Sequence, residues 1–316
     1  MKSTLFSVFN NHKNHFFTLD DLAEGLHWSH QAIYDEVDRI RHIGYNIEFD
    51  EKKGFRMMDR ADEISVKALK KQLDPVYTVE IVNEVTSTNS MLRYRANTLE
   101  HGHVLIAEAE TAAHGKQKAK VFCPKNGGIY LSICLKPKFG LNVISKLSSA
   151  AAAAAAKAIE LNYGIHPEIR WLDDLYFKNQ KIGNFVVESG VKLNPMELDY
   201  VLVGMIINVH STTFPDDMPN CSSIEDLTHS IVNRNQLIID ILNTFAHHIR
   251  HILGNNFFKY YMSYSDMVGK NVTLHWMDLE FTGTVKEIDG DLSLVVSDGK
   301  ETVRASCMEA TATINE

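Results

Sequence analysis

Apolar positions in the first 60 residues follow helical spacing and then strand spacing. Thr18 precedes Asp20 and Asp21, which predicts a helix N-terminus with an acidic first turn. After a turn over residues 25–29, five apolar residues share one helix face: Ala32, Ile33, Val37, Ile40 and Ile43. Residues 47–57, interrupted by a polar turn, predict a β-hairpin. This order is typical of a winged helix-turn-helix domain, which we place at residues 1–62.

The middle of the chain mixes helix and strand patterns. After a predicted polar helix over residues 62–72, the apolar run 103–107 predicts a strand. Alternation over residues 129–135 predicts a strand with one buried face, and seven alanines at 150–156 predict a helix packed closely on a sheet. Further strands are predicted at 185–187 and 201–203, and a long amphipathic helix at 233–252. We therefore expect a mixed α/β domain at residues 63–265.

The C-terminal residues change to short strands separated by tight turns. Four segments rich in β-branched and aromatic residues are predicted as strands: 271–276, 280–285, 292–296 and 301–305. Asp289-Gly290 and Asp298-Gly299 are typical of hairpin turns. We expect a small SH3-like β-barrel at residues 266–316, which makes the whole chain an α+β protein of three domains.

Composition narrows the class of protein. The 316 residues are 45% hydrophobic and 23% charged, as in soluble globular proteins, and the net charge is −8. The four cysteines form no Cys-x-x-Cys pair, which argues against a structural zinc site and a secreted disulfide framework. No run of 18 apolar residues and no signal-peptide pattern is present, so we expect a cytoplasmic protein without a membrane span.

The net negative charge of the N-terminal domain opposes DNA binding. Residues 1–60 carry eight Lys and Arg against ten Asp and Glu, a net charge of −2, and acidic charge opposes contact with phosphates. The first turn of the second helix would face base edges, and the hairpin would face the backbone. The candidate DNA-binding residues are Ser29, His30, Gln31, Tyr34, Arg39, Lys52, Lys53 and Arg56. The alternative is a winged helix that serves as a dimer or protein contact.

Five blocks in the middle of the chain resemble the biotin protein ligase and biotin operon repressor family. They are, in the order of the family, Glu84–Asn89, Ala113–Lys120, Arg170–Tyr176, Lys181–Gly183 and Gly204–Val209. With the N-terminal domain, the chain resembles the bifunctional type, ligase plus repressor, with a central sheet like that of class II synthetases. The resemblance implies ATP, Mg²⁺ and biotin as cofactors and substrates. It also implies a homodimer that meets operator DNA and a biotin carboxyl carrier protein, such as that of acetyl-CoA carboxylase.

The implied reaction has two steps. The biotin carboxylate attacks the α-phosphate of ATP, giving biotinyl-5′-AMP and pyrophosphate, and a carrier lysine then attacks this mixed anhydride. The site must bring two anions together, stabilise the charge of the transition state and exclude water.

The resemblance also assigns roles by position. The implied catalytic residues are Lys181 and Lys116. The implied biotin-binding residues are Ser87, Thr88, Asn89, Glu110, Ala113, His114, Lys181 and Gly183. The implied ATP- and adenylate-binding residues are Lys116, Lys118, Lys120, Trp171, Asp173, Asp174 and Asn208, with Asp174 also a candidate Mg²⁺ ligand.

Several positions depart from the family pattern. Glu110 replaces a glutamine, and a carboxylate accepts from the ureido N–H groups without donating to the ureido carbonyl. In the loop 113–120, lysine, histidine and alanine replace glycines and arginines, so the planar guanidinium fork that suits phosphate is lost. Asn184 and Ile206 replace glycines. These departures motivate an alternative, a DNA-binding regulator with a weakly active or inactive ligase domain. A ligase for lipoate or another acyl acid is a third possibility.

Overall fold

The chain folds as two compact units. The computed structural model describes residues 5–12, 14–42, 47–58, 64–115, 119–137, 140, 143–193, 196–210, 213–276, 279–307 and 309–315. One unit comprises residues 1–63 with 229–231, and the other comprises 64–228 with 232–316. Among the helices of the described residues, none has the length and apolar character needed to cross a bilayer.

The first unit contains three helices and a three-stranded antiparallel sheet. The helices are α1 (Leu5–Asn11), α2 (Leu19–Leu26) and α3 (His30–His42), and the strands are β1 (Phe16–Phe17), β2 (Ile47–Asp50) and β3 (Gly54–Met57), in the order β1-β3-β2. Thr18 begins α2 by accepting a hydrogen bond from the backbone N–H of Asp21 at 3.1 Å, as its position predicts. The predicted hairpin is confirmed as β2 and β3.

The predicted apolar face lies on α3 and forms the core of this unit. Ile33, Val37 and Ile40 are fully buried, together with Phe9 of α1 and Phe55 of β3. The hydroxyl of Ser29 accepts from the Ala32 N–H at 3.2 Å and so caps α3. Ile43 lies outside the described residues. The winged helix-turn-helix assignment stays a prediction.

The second unit is built on a seven-stranded mixed sheet. Its strands are β4 (Thr78–Val82), β5 (His103–Ala107), β6 (Gly128–Leu135), β7 (Glu168–Arg170), β8 (Asp174–Phe177), β9 (Gln180–Leu193) and β10 (Met196–Asn208). They lie in the order β4-β5-β6-β10-β9-β8-β7, with β4 and β5 parallel and every other neighbouring pair antiparallel. The helices are α4 (Val66–Lys70), α5 (Thr88–Arg95), α6 (Ile144–Tyr163), α7 (Ile224–Thr228), α8 (Arg234–Arg250) and α9 (Asn255–Met262), with a 3₁₀ turn at Ala96–Thr98. The predicted mixed α/β architecture is confirmed.

The alanine run lies in the middle of α6, and all seven of its side chains are fully buried. They pack in one apolar cluster with Ile129, Leu131 and Ile133 of β6 and with Leu237 and Ile241 of α8. Because alanine has the smallest side chain that still favours a helix, α6 can lie close to its neighbours.

The prediction that β6 buries one face is wrong, because all eight of its residues are buried. Its second face packs under α5, where Cys134 joins a small cluster with Leu92, Leu105 and Leu202. The prediction was wrong because that face carries Ser132 and Tyr130, residue types that are common on the solvent-facing side of a strand.

A five-stranded antiparallel sheet ends the chain. Its strands are β11 (Asn271–Trp276), β12 (Leu279–Ile288), β13 (Leu294–Ser297), β14 (Thr302–Ala305) and β15 (Thr311–Ile314), in the order β14-β13-β12-β11-β15. The four predicted strands are present, and β15, which pairs with β11, was not predicted. This sheet belongs to the same compact unit as the central sheet. The SH3-like barrel and the three-domain division stay predictions.

Candidate functional site

Three cavities of the second unit meet at strand β9. The first, here the acidic cavity, has a volume of about 620 Å³ and lies between β8, β9 and, near the C-terminus, Cys307 and residues 309–312. The second, here the small pocket, has about 20 Å³ and lies beside residues 87–89 and Glu110. The third, here the basic cavity, has about 270 Å³ and lies beside residues 217–221. Asn184 lines all three cavities, and Lys181 lines the two larger ones.

Two backbone hydrogen bonds to residues 220–222 hold Lys181 in place. Its N–H donates to the Asn220 carbonyl at 2.7 Å, and its carbonyl accepts from the Ser222 N–H at 3.0 Å. Its ammonium group donates to Asp174 Oδ2 at 2.7 Å. Burial alone would lower the pKa of Lys181, but the charge and hydrogen bond of Asp174 outweigh burial and raise that pKa above the ordinary lysine value. The site therefore holds a fixed positive charge at the junction of two cavities.

Asp174 uses both carboxylate oxygens for hydrogen bonds. Oδ2 accepts from Lys181, and Oδ1 accepts from the Asn184 side-chain amide at 2.9 Å. An ammonium group at 2.7 Å also repels a second cation. In the described part of the chain, no group of three His, Cys, Asp or Glu residues is placed to hold a metal. These contacts do not favour Asp174 as a Mg²⁺ ligand.

The small pocket is lined by a directed chain of hydrogen bonds. The Thr88 hydroxyl lies 2.6 Å from the Ser132 hydroxyl, which donates to Asn89 Oδ1 at 2.6 Å. The Asn89 amide in turn donates to Glu188 at 3.0 Å. Ser87, a further predicted residue of this set, caps α5. The structure thus brings together the predicted residues of the 87–89 block.

Glu110 faces these residues from a neighbouring extended segment. Its backbone N–H donates to the Cys123 carbonyl at 3.2 Å, and its carboxylate accepts from the Thr88 N–H at 2.7 Å. Burial raises the pKa of the Glu110 carboxyl, while its contact with Thr88 and the nearby His114 oppose the rise. Glu110 is therefore a buried acid that faces the small pocket.

The predicted phosphate loop is partly described. His114 lines the small pocket and the acidic cavity, and its backbone bridges to Lys120, while Gly115 donates to the Ala119 carbonyl at 2.8 Å. Lys120 forms an ion pair with Asp217. Ala113 is half-buried and lies outside the lining of the three cavities. Lys116 and Lys118 lie outside the described residues.

The remaining predicted nucleotide residues divide between two cavities. Trp171, Asp173 and Asp174 line the acidic cavity, and the Trp171 indole N–H donates to the Leu292 carbonyl at 2.7 Å. Asn208 lines the basic cavity and donates to the Ser222 carbonyl at 3.1 Å. Gly183 also lines the basic cavity, where a Cβ would come within 3.2 Å of the Leu175 Cβ.

Charge distinguishes the two larger cavities. Four carboxylates and one lysine line the acidic cavity: Asp173, Asp174, Glu188, Glu309 and Lys181. Two lysines and one aspartate line the basic cavity: Lys120, Lys181 and Asp217. Phosphate groups are therefore better accommodated in the basic cavity.

Sequence reasoning missed several lining residues, among them four that contribute a charge or an amide. Asn184 was noted as a departure from a glycine but not assigned to the site, and Glu188, Asp217 and Glu309 were not singled out. Strand alternation was an available signal for Glu188, because it shares a face of β9 with Asn184 and Val186. Asp217 and Glu309 reach the site from loops, and no local pattern marks them.

The candidate DNA-binding residues of the first unit are largely occupied by local contacts. Arg39 forms two hydrogen bonds with Glu36, at 2.6 and 2.7 Å, and Arg56 pairs with Glu48 at 2.5 Å. His30 lies 3.0 Å from Asp20, Gln31 donates to Asp35 at 2.8 Å, and the Tyr34 ring packs edge-on against Phe55. Lys52 and Lys53 form no ion pair with the described residues, and the Lys53 ammonium lies 5.5 Å from the Phe16 ring. The hairpin lysines are therefore the best placed for phosphates.

Known proteins match this chain in sequence and in fold. The model of the biotin/lipoate A/B protein ligase family matches residues 80–208. The bifunctional ligase/repressor BirA of Bacillus spizizenii is 22% identical over 319 residues, which cover 98% of each chain. The bifunctional ligase/repressor BirA of Escherichia coli is 25% identical over 194 residues, covering 61% of this chain and 60% of that protein. A biotin protein ligase from Aquifex aeolicus, solved with biotin and ATP, has a TM-score of 0.65 at 19% identity, covering 75% of this chain and 99% of the other.

Replacing Asp174 by Asn should lower the pKa of Lys181. Burial of the ammonium group persists, while the negative charge that outweighs it is removed. We expect the Lys181 titration, followed by NMR of lysine labelled at Cε, to move to lower pH than in the wild type. Asp216→Asn, which removes an exposed carboxylate, is the control and should leave the titration in place. An unchanged titration in Asp174→Asn would show that Asp174 does not set the charge of Lys181.

Proposed function

We propose that this chain is an ATP-dependent biotin–protein ligase of the biotin/lipoate A/B protein ligase family, and that it also acts as a biotin-responsive transcriptional repressor. The observation that carries the ligase proposal is the partly buried ammonium group of Lys181 where the two larger cavities meet, beside the small pocket. A reaction between two anions needs such a charge.

In this proposal, the small pocket takes the head group of biotin and the basic cavity takes the phosphates of Mg-ATP. Ser87, Thr88, Asn89 and Glu110 would contact the head group. The small pocket has room for little more than a water molecule, about 20 Å³, so it must widen to admit a bicyclic ring. His114 lines both this pocket and the acidic cavity, and we propose that the His114 side chain moves as the acid enters.

Lys181 would act in the first step. A carboxylate oxygen of biotin attacks the α-phosphorus of ATP, the bond to the bridging oxygen breaks, and pyrophosphate leaves with the electron pair. The ammonium group of Lys181 reduces repulsion between the two anions and stabilises the added charge in the transition state. Asp174 and Asn184 hold this ammonium group in place.

The acidic cavity would serve the second step. Its carboxylates attract the ammonium side chain of a lysine on a carrier protein. Once deprotonated, that amine attacks the acyl carbon of biotinyl-AMP, and AMP leaves. The partner we propose is a biotin carboxyl carrier protein. Mg²⁺ enters with ATP as part of the substrate, since the contacts of Asp174 do not favour a resident ion.

For the repressor role, we propose that the first unit is a winged helix and that the protein binds operator DNA as a homodimer in the cytoplasm. The first helical turn after Ser29 would face the bases, and Lys52 and Lys53 of the hairpin would face the phosphates. A palindromic operator matches the two-fold symmetry of a dimer. Support comes from the helices and hairpin of this unit and from similarity to ligase/repressor proteins along 98% of the chain.

Replacing Lys181 by Ala should reduce biotin-dependent exchange of pyrophosphate into ATP by about 100-fold or more, because losing one preorganised charge typically costs that much. The matched control is Lys178→Ala, which removes an exposed lysine from the turn between β8 and β9. Its exchange rate should equal that of the wild type. Wild-type exchange in Lys181→Ala would exclude the proposed role, and absence of exchange in the wild type would exclude the ligase.

Replacing Lys52 and Lys53 together by Ala should weaken DNA binding in a salt-dependent way. DNA ligands are first selected from a pool of random-sequence duplexes in the presence of biotin and Mg-ATP. For a selected duplex, the slope of log K against log salt should become shallower by about 0.9 for each lost phosphate contact. The exposed pair Lys70 and Lys71, changed to Ala, is the control. Selection of no sequence, or an unchanged slope, would contradict the proposed interface.

A further inference from the structure

Three glutamates are buried among the described residues of the second unit, and they differ in their partners. Glu108 lies 2.7 Å from a guanidinium nitrogen of the buried Arg234, and Glu225 lies 3.1 Å from the buried His210. Glu110 is equally buried, at 8% exposure, yet no lysine or arginine of the described residues pairs with it. A buried carboxylate without a cation is costly. Because Glu110 faces a pocket, a ligand bound there can supply positive charge or N–H donors to it.

The hydrogen bonds around the small pocket leave acceptors facing it. The Ser132 hydroxyl donates to Asn89 Oδ1, so the short bond between Thr88 and Ser132 is donated by Thr88. Both hydroxyl protons are thereby directed to protein oxygens. The carboxylate of Glu110 accepts one N–H from Thr88 and has further lone pairs available.

Asn184 adds a second acceptor. Its amide nitrogen donates to Asp174, and its Oδ1, in a side chain with 6% exposure, has no hydrogen-bond partner among the described residues. This residue lines the same pocket as Glu110. A ligand head rich in donors would satisfy both groups, whereas a carbonyl directed at Glu110 would meet an acceptor.

We propose that Glu110 determines the specificity of the small pocket, selecting acids whose head group presents N–H donors and favouring a cationic guanidinium head over a neutral urea. The inference rests on the proposed ligase function and names the head-group chemistry of its acid substrate. Glu110 accepts the N–H groups of the head, and a positive charge on the head compensates the buried carboxylate.

The test compares two ligands that differ only in this head group. They are biotin and 2-iminobiotin, in which a guanidine replaces the urea, and their dissociation constants are measured by calorimetry on the full chain at pH 7.5. We expect the wild type to bind 2-iminobiotin about tenfold tighter than biotin, as one charge-assisted hydrogen bond allows. Glu110→Gln should lose this preference, because its amide donates to a urea carbonyl and carries no charge. Glu84→Gln removes an exposed carboxylate just before the 87–89 block and should keep the wild-type preference.

A second measurement on the wild type does not depend on the folding of a variant. Lowering the pH protonates Glu110, so the preference for 2-iminobiotin should decrease. The other titratable groups near Glu110 are His114, Cys123 and Tyr130, and burial raises the pKa of the last two. Protonation of His114 would act in the same direction, and any pH dependence left in Glu110→Gln reports it.

The outcomes separate the inference from the proposed function. Equal ligand preference in the wild type and Glu110→Gln, or tighter binding of biotin by the wild type, would overturn the specificity inference alone. A preference that does not change with pH in the wild type would also overturn it. Binding of neither ligand to the wild type would overturn the proposed ligase as well.

Discussion

The charge of Lys181 is the constraint on which the arrangement of the site depends. Lys181 is partly buried, so its ammonium group gains from a counter-charge, and Asp174 on the neighbouring strand supplies it at 2.7 Å. Asn184 then fixes the other oxygen of Asp174, and it does so from the place where all three cavities meet. The strands β8 and β9 therefore position one cation where the acidic cavity meets the basic cavity.

Much of the fold was predictable because its signals are local. Thr18 and Ser29 cap their helices as their positions indicate, and the seven alanines of α6 are buried in the core. The burial of both faces of β6 was not predictable, because the second face is covered by α5, which lies about forty residues earlier in the chain. The polar helix expected at 62–72 is shorter in the structure, where α4 spans Val66–Lys70. Residues 62 and 63 lie outside the described part of the chain.

The candidate site was predictable where the residues of a short sequence block lie together in the fold. Residues 87–89 and Glu110 face one pocket, as the resemblance implies, because a parallel bridge joins Val85 to Glu110. The division of the nucleotide residues between an acidic and a basic cavity was not predictable from motifs. Glu309 and Asp217 contribute charges from loops remote in sequence, and only the folded chain shows which side of Lys181 each one occupies.

The most direct test of the account is the mass of a carrier protein. The full chain is incubated with biotin, Mg-ATP and an apo biotin carrier domain, and the intact mass of the carrier is then measured. A biotin–protein ligase should increase that mass by one biotinyl group, carried on a single lysine. An unchanged mass, while a control ligase labels the same carrier, would contradict the account.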